Sequence, residues 1–162
     1  MITEKHLPLL LVAAEHHYVS KVSDALIEQF TTDFEHHLAQ AGATLAVPGH
    51  FFTVFQVPAY RDHDYHMELW AEVTETLAGT EHLRFQFVPA CECACLTTGA
   101  RYNDLQSAYD ALYDYVRQQG AAPAGAPRET YLASDAAPGG FETEILLPFT
   151  RCPIPMCLPG NF

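Results

Sequence analysis

About half of the 162 residues are apolar, which suits one packed domain and argues against a disordered chain. Twenty acidic against eight basic side chains leave a formal charge of -12, which repels nucleic-acid phosphates and anionic membranes alike. The apolar run Leu7 to Ala14, flanked only by Lys5 and Glu4, is too short for a membrane span or a signal core with its cleavage site, so direct nucleic-acid binding and membrane insertion are excluded and a cytoplasmic protein is expected.

In chain order, Leu7 to Val19 reads as a strand. Ser20 to Gln40 then places Val22, Leu26, Phe30, Phe34 and Leu38 on one i+4 row, with Ser20 or Ser23 as N-cap and Gly42 just beyond, which predicts an amphipathic helix. "GATLAVPGHFFTVF" follows as glycine, loop, proline and an extended segment with Phe52 four residues after Pro48; "MELWAEV" (67 to 73) is the next strand. Residues 74 to 82, "TETLAGTEH", read as a linker.

The order then repeats. Leu83 to Leu96 is strand-like, and Asn103 to Gln119 carries Leu105, Ala108, Tyr109, Leu112 and Val116 on a helical row that opens on Asn103 or Asp104 and closes at Gly120. A tyrosine, Tyr18 or Tyr102, stands just before each helix. "GAAPAGAPRETYL" matches the first glycine-to-strand segment, with Tyr131 in the place of Phe52, and "TEILLPF" (143 to 149) aligns with "MELWAEV", so that Glu144 corresponds to Glu68 and Pro148 to Glu72. The tail from 151, "RCPIPMCLPGNF", is expected to be extended and outside the core.

The fold class expected is therefore α+β: two tandem βαββ modules, about 6–73 and 83–149, forming one domain over 1–150 around a pseudo-twofold axis. Strand alternation sends Met67, Leu69, Ala71, Ile145 and Leu147 to helices on one side. The other face carries His66, Glu68 and Trp70 from one copy and Glu142, Glu144 and Leu146 from the other, and is expected to be an open ligand cleft.

"LTTGARYNDLQSAYDALYDYVRQQG", "RETYL" and "TEILLPF", in that order and spacing, resemble the GyrI-like superfamily, the AraC-type effector-binding domain, and the first half echoes them. The likeness covers about residues 4 to 149; where the second copy has Pro148, the first departs with Glu72. The resemblance implies a duplicated βαββ fold with a cleft at the pseudo-twofold interface, and a stand-alone member, since the two copies leave no room for a DNA reader. In multidrug-sensing relatives a buried glutamate among aromatics receives lipophilic cations; by motif position the resemblance assigns that role to Glu144. Other stand-alone members are implied to modulate gyrase or to hydrolyse cyclopropane-bearing genotoxins.

The residues support a cation reading on physical grounds, because a buried carboxylate is costly and a bound cation relieves it. The candidate ligand-binding residues are Glu144, Glu68, Trp70, Tyr131, Tyr102, Phe52, His66 and Tyr18, the aromatics supplying faces for cation-π contact. Alternatively, Glu68 and Glu144 meet Arg101 or Arg128 in ordinary ion pairs. If the two carboxylates approach each other, repulsion raises one pKa and the pair becomes a candidate catalytic acid and base for a hydrolase. No nucleophile motif accompanies them, and whether the protein is an enzyme stays open. A protein partner such as gyrase or a regulator is a further alternative that the acidic charge fits.

Metal and cofactor are expected to be absent. His63, His66 and Glu68 fall on different faces of a strand. Cys91, Cys93 and Cys95 alternate about 6.7 Å apart along a strand, against about 3.7 Å between two thiolates on one zinc. Small buried side chains in a reducing compartment are the expected role of those cysteines.

Overall fold

In the computed structural model, which describes residues 1–56, 65–99, 105–133 and 140–151, the chain runs β1 (Thr3–Leu7), β2 (Leu10–Val19), α1 (Asp24–Ala41), β3 (Phe51–Phe55), β4 (Tyr65–Glu72), β5 (Arg84–Val88), β6 (Cys91–Thr98), α2 (Gln106–Gln118), β7 (Ala121–Pro123), β8 (Arg128–Ala133) and β9 (Phe141–Arg151). The two runs read as single strands are each divided, at Pro8 and at Pro89, because proline brings no N–H to a ladder. Each copy is thus built on ββαββ, the βαββ core preceded by one more strand; the second copy adds the short β7, where the first has only the bridge Leu45–Val73.

That extra strand does not stay with its own copy. In the sheet order β1-β6-β9-β8-β3-β4-β2-β5, with β7 also on β9, the first strand of each copy pairs with the second strand of the other. Every ladder is antiparallel, and the register repeats around the centre. Thr3 faces Cys95 as Arg84 faces Ala14; His16 faces Glu68 as Thr97 faces Glu144; Phe52 faces Trp70 as Arg128 faces Leu146. At the middle, Thr53 faces Glu129, and these two positions are themselves equivalent under the repeat. Glu68 and Glu144 are therefore matched, as the sequence alignment expects.

Alternation divides the core into two faces. On the helix side, Met67, Leu69 and Ala71 pack with Ile27, Phe34 and Leu38 of α1, while Ile145 and Leu147 pack with Leu105, Tyr109, Leu112 and Val116 of α2. The expected row on α2 is buried as read. On α1, Ile27 is buried where the i+4 row predicts Leu26, because an i+4 row drifts by about 40° per step on a 3.6-residue helix, so Ile27, seven residues before Phe34, shares its face better than Leu26, eight before. The other face is not open throughout: the sheet curls, and Val12, Ala14, Val54, Cys93, Cys95 and Leu146 close into an apolar cluster with Phe52 and Trp70. Among the described residues no helix is long and apolar enough to cross a membrane.

Ser23 is the N-cap of α1, its Oγ accepting from Leu26 N at 3.2 Å, and Gly42 closes the helix at φ 74, a left-handed turn that glycine adopts without strain. Ser23→Ala should lower stability by about 1 kcal/mol in urea unfolding with an unchanged m-value; no loss would mean that the cap is idle. The expected caps of α2, Asn103 and Asp104, lie outside the described residues, as do Arg101, Tyr102, His63 and the tail from Cys152.

Candidate functional site

The sequence-predicted residues divide between the two faces. Phe52, His66, Glu68, Trp70, Tyr18 and Glu144 share the face away from the helices. Each glutamate is already answered by a cation from an exchanged strand: Arg84 of β5 pairs with Glu68, and Lys5 Nζ of β1 donates to Glu144 Oε2 at 2.8 Å. Neither of these partners is Arg128, and Arg101 lies outside the described residues. Two strands, β8 and β3, separate β9 from β4, and in register Glu68 lines up with Leu146, two residues from Glu144. In the structure each carboxylate is held by its own cation, Glu68 by Arg84 and Glu144 by Lys5. His16, His66 and Tyr18 stack at one end, with centroids 4.2 Å apart for the two histidines and 4.7 Å for Tyr18 and His66, and Tyr18 is largely exposed.

Tyr131 lies on the opposite, helix-side face. Its equivalent in the first copy is Phe55, not Phe52, because β3 and β8 cross so that Val54 meets Arg128. There it donates from its hydroxyl to Glu129 Oε1 at 3.1 Å, and the hydroxyl of Tyr109 on α2 donates to Glu129 Oε2. Glu129 is 0% exposed, and no cation pairs with it among the described residues. Burial pushes its carboxyl up to about 7, against the opposing pull of the two tyrosine hydroxyls.

Glu129 is thus fully buried beside two tyrosines, whereas Glu144, which motif position singles out, is partly exposed and paired with Lys5. Glu129 stands at the pseudo-twofold position, between the α1 cluster, against which Tyr131 packs, and the α2 cluster, to which Tyr109 belongs. The signal for it lies in "RETYL": an acid and an aromatic two apart share a strand face.

On the non-helix side of the same strand, Arg128 is 4% exposed and lies over Trp70, its Cζ 5.1 Å from the ring centroid. A carboxyl and a guanidinium thus leave neighbouring residues of β8 toward opposite faces.

The histidines and cysteines are arranged more closely than their spacing suggests. Cys93 and Cys95 bring their sulfurs to 3.5 Å because side chains on one face lean toward each other, so the Cα-based separation does not hold for them. Among the described residues the one group of three potential metal ligands with mutually close donor atoms is Glu15, His37 and His82, on the helix side. Glu15 is hydrogen-bonded to His37 Nδ1 and, at 3.3 Å, to His17 Nε2, while the His37 and His82 rings stack 3.8 Å apart. Burial raises the Glu15 carboxyl, and the two histidine contacts outweigh it, holding the group below the ordinary carboxylate range.

A duplicated ββαββ sheet with both helices on one side and a buried acid at its centre defines a ligand-binding domain of the effector-binding type. Residues 1–150 match the GyrI-like small molecule binding domain, and the chain belongs to that family. No curated protein matches it. Among solved structures it is similar to the EcmrR C-terminal domain, at 22% identity and a TM-score of 0.80, over 94% of this chain and 98% of that one. A hydrolase encoded by lin2189 from Listeria innocua is similar at 10% identity and a TM-score of 0.59, over 92% and 91% of the two chains. SAV2435 bound to tetraphenylphosphonium is similar at 14% identity and a TM-score of 0.55, over 93% and 94%.

Proposed function

We propose that this member of the family is a receptor for lipophilic, aromatic cations, acting in drug or toxin response in the cytoplasm, with Glu129 as the residue that receives the charge. The observation that carries the reading is a carboxyl with 0% exposure and no partner cation among the described residues. A cation reaching Glu129 takes over from the hydroxyls of Tyr109 and Tyr131, ionises the carboxyl, and offsets the desolvation cost of its charge. Tyr109 and Tyr131 then offer ring faces to the ligand. SAV2435, a protein of the same fold, is bound to tetraphenylphosphonium, and that cation is the natural first probe.

Glu68 and Glu144 are not needed for this role, since Arg84 and Lys5 already compensate them. Calorimetry with tetraphenylphosphonium and with a neutral tetraphenyl analogue tests the assignment. Glu129→Gln should weaken the cation at least tenfold and leave the neutral compound nearly unchanged, whereas Glu144→Gln should change neither. Equal losses for both compounds in Glu129→Gln would assign the residue to packing. Mass spectrometry of a cyclopropane-bearing electrophile incubated with wild type and with the Glu68→Gln and Glu144→Gln variants tests the hydrolase reading separately.

A further inference from the structure

On the face away from the helices lies a cavity of about 850 Å³ whose floor includes Val54, Trp70, Val88, Cys91, Arg128 and Pro148. That volume suits a drug-sized molecule. It lies across the sheet from Glu129, and the reading of Glu129 as a cation receptor makes no use of it.

Besides apolar side chains and the polar His6, Gln56, Glu92, Thr150 and Arg151, the lining carries three orphaned donors. Arg128 Nε, Arg128 Nη1 and Trp70 Nε1 are buried and have no hydrogen-bond partner among the described residues. The third guanidinium nitrogen, Nη2, reaches only the Cys91 sulfur, at 3.8 Å. No carboxylate pairs with Arg128 among the described residues. Burial pushes the Cys91 thiol up, so it supplies no thiolate countercharge. The one acid that lines the cavity among the described residues, Glu92, is engaged with His6 at 2.8 Å.

A buried guanidinium is stable in such a place when an anion completes it, and a guanidinium is well matched to an oxyanion. In a chain of net charge -12 acids are abundant, yet among the described residues none forms an ion pair with Arg128. We propose that this cavity is a second ligand site, selective for apolar or aromatic carboxylates, whose oxygens accept from Arg128 and Trp70 while the hydrocarbon body fills the cavity against Val54, Val88 and Pro148. The domain would then take opposite charges on opposite faces of one strand.

Trp70 is the single tryptophan of the chain, so its fluorescence reports this cavity directly. The experiment titrates the full chain with 4-phenylbutanoate and with 4-phenylbutanamide, following Trp70 emission alongside calorimetry. The carboxylate should bind at least tenfold more tightly than the amide and should change the Trp70 emission. Arg128→Met should abolish that preference, and Glu129→Gln should preserve it. Equal binding of acid and amide, no binding of either, or binding without a Trp70 response would overturn the proposal, and these wild-type comparisons hold whether or not Arg128→Met folds. Tetraphenylphosphonium should not displace the carboxylate; competition between them would mean one shared site and would also overturn it. Failure of the cation at Glu129 leaves the carboxylate result unaffected, so the two readings are tested apart.

Discussion

Stability of the unliganded protein should fall as pH rises from 5 to 8, by about 2 to 3 kcal/mol, and Glu129→Gln should remove most of that slope. Glu129 is an acid whose folded-state pKa, about 7, is raised above its ordinary value by burial. The folded state therefore favours its protonated form. Its contribution is fully present below the unfolded pKa and is lost as pH climbs through the folded one. A lipophilic cation should reverse the effect, because it binds the ionised form, and its affinity should rise across the same interval. Thermal unfolding of wild type and Glu129→Gln at several pH values, with and without tetraphenylphosphonium, checks both signs. A flat wild-type profile would mean that Glu129 is solvated in the folded protein.

The second large effect concerns the exchanged strands. Arg84→Met should destabilise by about 3 kcal/mol, because Glu68 is then left buried without its cation. The double variant Arg84→Met, Glu68→Leu should recover most of the loss, since the penalty lies in the orphaned carboxylate and not in the missing bridge. Urea unfolding of the two single variants and the double closes the cycle. If the double variant is as unstable as Arg84→Met, the loss comes mainly from packing of the Arg84 stem on β2 instead.

Helix periodicity made both helices, the duplication and the inward rows legible in the sequence. The alternation of "MELWAEV" and "TEILLPF" also matched Glu68 to Glu144 correctly, because equivalence within a strand needs only local pattern. The face of Tyr131 was not legible from that pattern. Counting four residues from each proline aligns it with Phe52, three positions from its true equivalent, Phe55, and an odd shift sends a strand residue to the opposite face. Glu129 is thereby overlooked although it lies inside "RETYL". The partners of Glu68 and Glu144 were out of reach for another reason: Arg84 and Lys5 arrive by a pairing between copies, which no local periodicity encodes.

Pro8 and Pro89 have a consequence for synthesis as well as for shape. A chain emerging from the ribosome exposes residues 3–7 long before residues 91–98, their ladder partner, have been made. For that interval β1 is a strand with two free edges, the kind of segment that recruits other chains. Its sequence, Thr3-Glu4-Lys5-His6-Leu7, is mostly charged or polar, which keeps the waiting strand in water until its partner arrives. The same exchange makes completion of the sheet a late event, because each half must lend a strand before either is whole.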